Sequence, residues 1–167
     1  MISASTVVTP GGPLTILAKD GTVLAAGFTD DVERLHRRLR TDEPYETVDD
    51  LGPISHAVAR WIQGDLTALD DINVQQPGTS YQQAIWSALQ RIPAGQTLSY
   101  GKLAAEAGLP LAARAAGSAC GRNLIAPFVP CHRAVTSTGA LGGYEYGLPT
   151  KQWLLEHEQR YGIHPEG

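Results

Sequence analysis

The sequence predicts an α+β (α/β) protein, with a β-rich first part followed by a mainly helical second part. Three observations predict it. Short β-prone runs separated by turn signals crowd residues 6–28. Further on, apolar residues recur at helical spacing in stretches bounded by proline, glycine and Ser/Thr caps. The change falls at Gln75-Gln76-Pro77-Gly78, a turn-prone stretch that divides the chain into residues 1–78 and 79–167. At 167 residues the chain is long enough for one good core or for two small domains.

Taken in order, Thr6–Thr9, Leu14–Lys19 and Thr22–Phe28 read as strands. Gly11-Gly12-Pro13 separates the first two, and Asp20-Gly21, a strong hairpin signal, separates the second and third. Asp30 and Asp31 open a helix to about Leu39, and the charged, patternless run Arg40–Asp50 reads as a loop. Pro53 suits a first helical turn, with Ile54, Val58, Trp61 and Ile62 on one side. Gly64–Gly78 is a crossing segment. Thr79 or Ser80 caps a helix carrying Tyr81, Ile85, Leu89 and Ile92, with Trp86 adjacent, and Pro93-Ala94-Gly95 stops it. Ser99 caps Tyr100–Ala107, Gly108-Leu109-Pro110 turns the chain, and a second short helix spans about Leu111–Cys120. Ala104, Ala113 and Ala116 are small enough for close packing, so this pair reads as a helix-turn-helix. Pro127–Val135 reads as extended, Thr136–Gly147 as turn-rich, and Pro149–Tyr161 as a last helix closed by Gly162.

Composition narrows the class. The chain is 43% hydrophobic and 18% charged, as ordinary globular proteins are, and has no run fit to span a membrane. Its N-terminus lacks the pattern of a signal peptide. Two cysteines make no disulfide framework, so a reducing, cytoplasmic setting is expected. Neither cysteine has a nearby second thiol and the five histidines are scattered, so no metal site is expected. The net charge of −4 is uneven. Residues 1–78 hold six basic and twelve acidic groups, whereas 79–167 hold seven and five. Within 99–133, Lys102, Arg114, Arg122 and Arg133 face Glu106 alone, enough for a local phosphate-binding face on an acidic protein. A solvated surface is the plainer reading of that charge.

The candidate chemistry centres on Val129-Pro130-Cys131-His132-Arg133. A thiol becomes nucleophilic as a thiolate, which needs a base or a positive field, and His132 and Arg133 offer both. In an extended segment neighbouring side chains face apart, so a thiol–imidazole contact there needs a turn or a bridging water. The plainer alternative is a buried cysteine with the imidazole satisfied by a carbonyl. Glu158 on the last helix is placed to orient an imidazole or simply to face solvent. Tyr100 offers a phenol or core packing. Arg114, near the start of a helix where positive charge is unfavourable, suits an anionic partner or a plain surface. Asn123 can tie its loop to the backbone, and Cys120 reads as a small core residue.

Together, Gly95–Ala104, Ala112–Gly117 with Arg114, Asn123, Val129–Arg133, Gly142-Gly143-Tyr144 and Trp153–Glu158 closely resemble the O6-alkylguanine-DNA alkyltransferase family. The match covers roughly residues 79–161. The resemblance implies a ribonuclease-H-like sheet domain over 1–78 and a helical domain with a winged-helix-like helix-turn-helix over 79–167. It implies irreversible transfer of an alkyl group from O6 of guanine, and from O4 of thymine, to the protein's own cysteine after the base is flipped out of the duplex. Residue by residue, it makes Cys131 the acceptor and His132 the base that works through a water. Glu158 orients His132, and Tyr100 crowds the target phosphate and helps protonate the departing guanine. Arg114 fills the vacated stack, with Ala115, Gly117, Ser118 and Arg122 on the DNA-binding face. Asn123 braces the turn, and Val129, Pro130, Arg133, Tyr144, Glu145 and Tyr146 build the pocket. It implies no cofactor, double-stranded DNA as partner, and a monomer in solution, with cooperative assembly on DNA as an open alternative. Two departures stand out: Glu145 and Tyr146 replace small residues, which predicts a preference for small adducts, and Leu124 stands where the family often has proline. Two other classes compete: a Cys131–His132–Glu158 hydrolase that turns over, and a helix-turn-helix lesion sensor for which Cys131 is dispensable.

Overall fold

The computed structural model describes residues 1–109 and 112–162, which form two compact units: Met1–Gln76 with Leu124–Phe128, and Pro77–Asn123 with the chain from Val129 onward. The architecture is mixed α+β, with six α-helices and a five-stranded sheet among the described residues.

In the first unit, β1 (Ile2–Thr9), β2 (Gly12–Lys19) and β3 (Thr22–Gly27) form an antiparallel meander. The Asp20-Gly21 turn takes positive φ at both residues (52° and 79°), the primed geometry that matches strand twist. Two edge strands lie where the sequence reads as loop or crossing segment. β4 (Tyr45–Thr47) runs parallel to β1 inside Arg40–Asp50, and β5 (Asn73–Val74) runs parallel to β3, giving the order β4-β1-β2-β3-β5. Strands of two or three residues are too short to show a period of two, so pairing rather than propensity makes them. The same reason extends β1 back from Thr6 to Ile2: Ser3 and Ala4 are weak strand formers held between β2 and β4, and Ser5 pairs with β2. α1 (Val32–Leu39) is capped by Asp31, whose carboxylate accepts from Arg34 N at 3.1 Å. α2 (Pro53–Ile62) buries Ile54, Ala57, Val58 and Trp61. Leu124–Phe128 adds one parallel bridge, Ile125 to Ala26, beside β3.

In the second unit, α3 (Ser80–Gln90) starts with a reciprocal capping box: Thr79 Oγ1 accepts from Gln82 N at 3.1 Å, and Gln82 Oε1 accepts from Thr79 N at 3.0 Å. It buries Ile85, Trp86, Ala88 and Leu89, and the Trp86 indole donates to Ala119 O at 3.0 Å. α4 (Tyr100–Glu106), capped by Ser99, packs on α5 (Ala113–Gly121). α5 begins two residues later than the spacing predicts, and Pro110 and Leu111 lie outside the described residues. β6 (Leu98–Ser99) pairs in parallel with β7 (Ala134–Val135). α6 (Leu148–Tyr161) ends at Gly162, where a Cβ would meet Glu158 O at 2.5 Å; this glycine is required by space, not by φ.

Candidate active site

The Cys131 segment is not extended as its apolar pattern predicts. Cys131–Arg133 form one turn of 3₁₀-helix, with Cys131 N donating to Val129 O at 2.9 Å and Arg133 N to Pro130 O at 3.0 Å. Pro130 has no N–H to give a sheet ladder, which favours the turn. The turn carries His132 inward, 1% exposed, while Cys131 stays partly exposed. Asn123 sits just past α5 and donates Nδ2–H to Val129 O at 2.8 Å, so one carbonyl receives both the amide of Cys131 and the side chain that ends the helix segment.

His132 Nε2 lies 2.8 Å from Glu158 Oε2. A neutral imidazole facing a carboxylate carries its proton on that nitrogen, which leaves the lone pair on Nδ1. Nδ1 is buried and has no hydrogen-bond partner among the described residues, the Cys131 thiol included. Burial pushes the His132 pKa down against the upward pull of Glu158, which keeps the ring neutral and able to take a proton. Burial opposes the charge of Glu158, but the imidazole and the Arg133 guanidinium outweigh it and hold the carboxyl down at about 2. Arg133 donates Nε–H and Nη2–H to Glu158 at 2.9 and 2.7 Å, and Nη1–H to Ile92 O at 2.6 Å. The turn, α6 and the segment just after α3 are thereby tied through one guanidinium.

Arg133 does not act on the thiol as its position in sequence suggests, because its guanidinium is committed to Glu158 and Ile92. The positive charge at the thiol is that of Lys151, a residue sequence reasoning missed. Lys151 is 0% exposed on α6, and its ammonium donates to the carbonyls of Ala134 (2.8 Å), Gly143 (3.2 Å) and Leu141. It also lies 5.9 Å from the Tyr100 ring centroid. Burial raises the Cys131 pKa, while a hydrogen bond from Asn123 and the charge of Lys151 pull it back. A sequence signal existed: Lys151, Leu154 and Glu158 are spaced i, i+3, i+7, so Lys151 belongs to the inward stripe of α6.

Cys131 opens onto a cavity of about 410 Å³, lined also by Tyr100, Gly117, Cys120, Gly121, Asn123, Gly143, Tyr144, Glu145 and Tyr146. Cys120 thus belongs to the pocket wall as well as to the core, and burial lifts its pKa well above the ordinary range. Tyr100, the first residue of α4, is half-buried with its pKa pushed up to about 12, chiefly by burial. It remains a protonated donor at neutral pH. Gly142 lies against it: at φ 73° a Cβ there would meet the Tyr100 hydroxyl at 2.8 Å. Arg114, Ala115, Ser118 and Arg122 are exposed, whereas Ala116, Ala119 and Cys120 are buried, so α5 presents small residues and Arg114 to solvent, with Arg122 just past its end. Val129 and Pro130 are buried behind the turn and do not line the cavity. No cluster of metal-ligating side chains occurs among the described residues, and no described helix is long and apolar enough to cross a membrane.

A thiol at the wall of a cavity, backed by a neutral base, a buried carboxylate and a buried ammonium, defines a protein whose own cysteine reacts with a guest. Comparison with known proteins makes this particular. Residues 80–160 match the family model of the 6-O-methylguanine DNA methyltransferase DNA-binding domain. The methylated-DNA–protein-cysteine methyltransferase of Salmonella typhimurium is 39% identical over 158 residues, covering 91% of this chain and 92% of the relative. That of Mycobacterium bovis is 42% identical over 164 residues, covering 95% and 93%. The crystal structure of Mycobacterium tuberculosis OGT in complex with DNA superposes with a TM-score of 0.83 at 32% identity, covering 95% of this chain and 94% of that one. The chain belongs to the methylated-DNA–protein-cysteine methyltransferase family.

Proposed function

We propose that this chain is a DNA repair protein that transfers the alkyl group of O6-alkylguanine, and of O4-alkylthymine, irreversibly to its own Cys131, once per molecule. The observation that carries this is the joining of the Cys131 thiol, a neutral buried His132 and a cavity walled by α4, α5 and the 143–146 loop. The thiol loses its proton to His132 Nδ1 through one water, because that lone pair is buried and makes no direct bond to sulfur. Glu158 holds the ring with Nε2–H pointed away from the thiol. Sulfur then attacks the alkyl carbon. The S–C bond forms as the C–O6 bond breaks, the electron pair stays on O6, and the guanine gains a proton to replace the one the thiol lost. Tyr100, protonated and at the cavity wall, helps deliver it. The thioether has no leaving group that water can displace, so the protein is spent.

Duplex DNA carrying the lesion is the partner, with α5 as the helix that enters its minor groove. Ala115, Gly117 and Ser118 allow close approach, Arg114 fills the place of the flipped base, and Arg122 meets the backbone. The solved relative in complex with DNA supports DNA as the partner. Residues 79–167 act as the DNA-binding and acceptor domain, winged-helix-like through α3–α5 with β6 and β7, and residues 1–78 as the supporting domain. The run β3-β2-β1-β4, antiparallel twice and then parallel, supports a ribonuclease-H-like reading of that sheet. Two free cysteines suit a reducing cytoplasm. The test is the intact mass after incubation with duplex DNA carrying O6-methylguanine. One added methyl group, absent in Cys131→Ser and retained in Cys120→Ser, is expected. Unchanged mass with tight binding would show a lesion sensor, and repeated turnover of an ester would show a hydrolase.

A further inference from the structure

We propose that Arg133 is a positioning residue for alkyl transfer: its guanidinium fixes the Glu158 carboxylate and offsets its charge, so that Glu158 orients His132 without drawing a proton onto the ring. The inference rests on the alkyl-transfer reading above and adds a residue to its proton path. The geometry is that of a shared oxygen. Glu158 Oε2 faces His132 Nε2 at 2.8 Å and accepts Nη2–H of Arg133 at 2.7 Å. Nε–H of Arg133 goes to the other oxygen at 2.9 Å, so the carboxylate is gripped at both ends. The guanidinium is itself held, with Nη1–H donated to Ile92 O at 2.6 Å. Little water reaches the group: the side chains of His132, Glu158 and Arg133 are 1%, 2% and 13% exposed.

A buried carboxylate alone would do two things to an imidazole. It would orient the ring, and it would favour the imidazolium, which has no lone pair left to take a proton from the thiol. Arg133 separates the two effects. Glu158 and Arg133 together carry no net charge, while the contact that orients the ring stays in place. The other groups around His132 agree with this. The turn itself carries Cys131 and Arg133, and α6 brings Glu158 and Lys151. Tyr144 faces Glu158 from the 143–146 loop as a neutral phenol, kept so by burial. α3, which also packs on the turn, has no charged side chain. Of these groups Glu158 draws a proton to the ring, whereas burial, Arg133 and Lys151 oppose it. Lys151 gives its donors to the carbonyls of Ala134, Leu141 and Gly143, so Arg133 is the cation bonded to the carboxylate.

The experiment follows single-turnover methyl transfer from an O6-methylguanine duplex against pH, together with the ring ¹⁵N titration of His132 by NMR. It compares the wild type with Arg133→Met, Arg133→Gln and Arg133→Lys. In Arg133→Met the acid limb of the rate profile and the His132 titration should both move up by about one pH unit. Arg133→Gln loses the charge but keeps an amide donor, and it should show the same shift even if Arg133→Met does not fold. Arg133→Lys keeps the charge without the fork. Its midpoint should stay in place while its plateau rate falls by about tenfold. Lower rates with unmoved midpoints in the neutral variants would make Arg133 a strut and overturn the proposal, as would an equal upward shift in Arg133→Lys. Failure of the wild type to take up the methyl group would instead overturn the alkyl-transfer reading. The His132 titration, which needs no transfer, would still decide whether Arg133 holds the ring neutral.

Discussion

His132 works through where its proton sits. Glu158 faces Nε2, and the buried Nδ1, without a partner among the described residues, is the atom we propose as the base. The same pair makes the protein acid-sensitive. Glu158 has a folded pKa of about 2, below its ordinary 4.5, so its stabilisation is present above 4.5 and lost as pH falls towards 2. His132 is lowered from 6.5, so the neutral ring also favours the folded state until pH falls below 6.5. Stability to urea should therefore decline from about pH 6.5 downward. Glu158→Gln should cost about 3 kcal/mol at pH 7 and flatten the decline below pH 4.5; an unchanged acid slope would refute this account. Lys151 acts on the thiolate, so Lys151→Met should raise the thiol pKa. The midpoint of the pH–rate profile for alkylation by iodoacetamide should move up by about one unit. A lower rate with an unmoved midpoint would reduce Lys151 to a strut for its three carbonyls. Tyr146 narrows the cavity mouth, and Tyr146→Gly should speed inactivation by a bulky O6-benzylguanine free base by roughly tenfold, about 1.4 kcal/mol of barrier. The Cys131 motif was legible as a candidate because a thiol, an imidazole and a guanidinium adjoin. The role of Lys151 was not, because a lysine in a helix usually faces water.

At the level of elements, α5 shows how one short helix serves two masters. Ala116, Ala119 and Cys120 face the core, and Ala115 and Ser118 face solvent with no bulk above Cβ or Oγ. Its Ala112 cap makes no side-chain hydrogen bond, and the first turn holds Arg114 against the helix dipole. Both features cost stability and both suit an anionic partner. Ala115→Leu should change the unfolding free energy measured in urea by no more than about 0.5 kcal/mol, since the site is exposed. It should weaken binding to lesion-bearing duplex by at least about tenfold, because minor-groove contact requires close approach. Equal affinity would remove α5 from the DNA interface. The elements bounded by local chemistry were legible in sequence: the Asp20-Gly21 hairpin, the Pro53 start of α2, a cap at Thr79 or Ser80 and the Gly162 stop. β4, β5 and the 3₁₀ turn at Cys131 were not. Each is two or three residues long and owes its shape to partners distant in sequence.

As a whole molecule the chain is built around a single irreversible event. Titration with O6-methylguanine duplex should saturate at one methyl per chain, and further lesions should remain unrepaired however long the incubation. Release of more than one equivalent of product would exclude a thioether end point. Between Asn123 and the Cys131 turn the chain adds the Ile125 bridge to the sheet of the first unit, with Ala26 N donating to Leu124 O at 2.8 Å and Ala126 N to Ala26 O at 3.1 Å. The path from helix to nucleophile is thus pinned by backbone bonds that no motif announces. From sequence alone came the α+β class, the candidate nucleophile and the resemblance to the family. These rest on local signals: periodicity, caps, turn residues and a motif in which spacing alone is diagnostic. Tertiary structure alone decided which nitrogen of His132 faces Glu158, that Arg133 serves Glu158 rather than the thiol, and that Lys151 brings the positive charge nearest the thiol. Each of these depends on desolvation and on distances between side chains far apart in the chain, and pKa and hydrogen-bond direction follow those distances rather than sequence order.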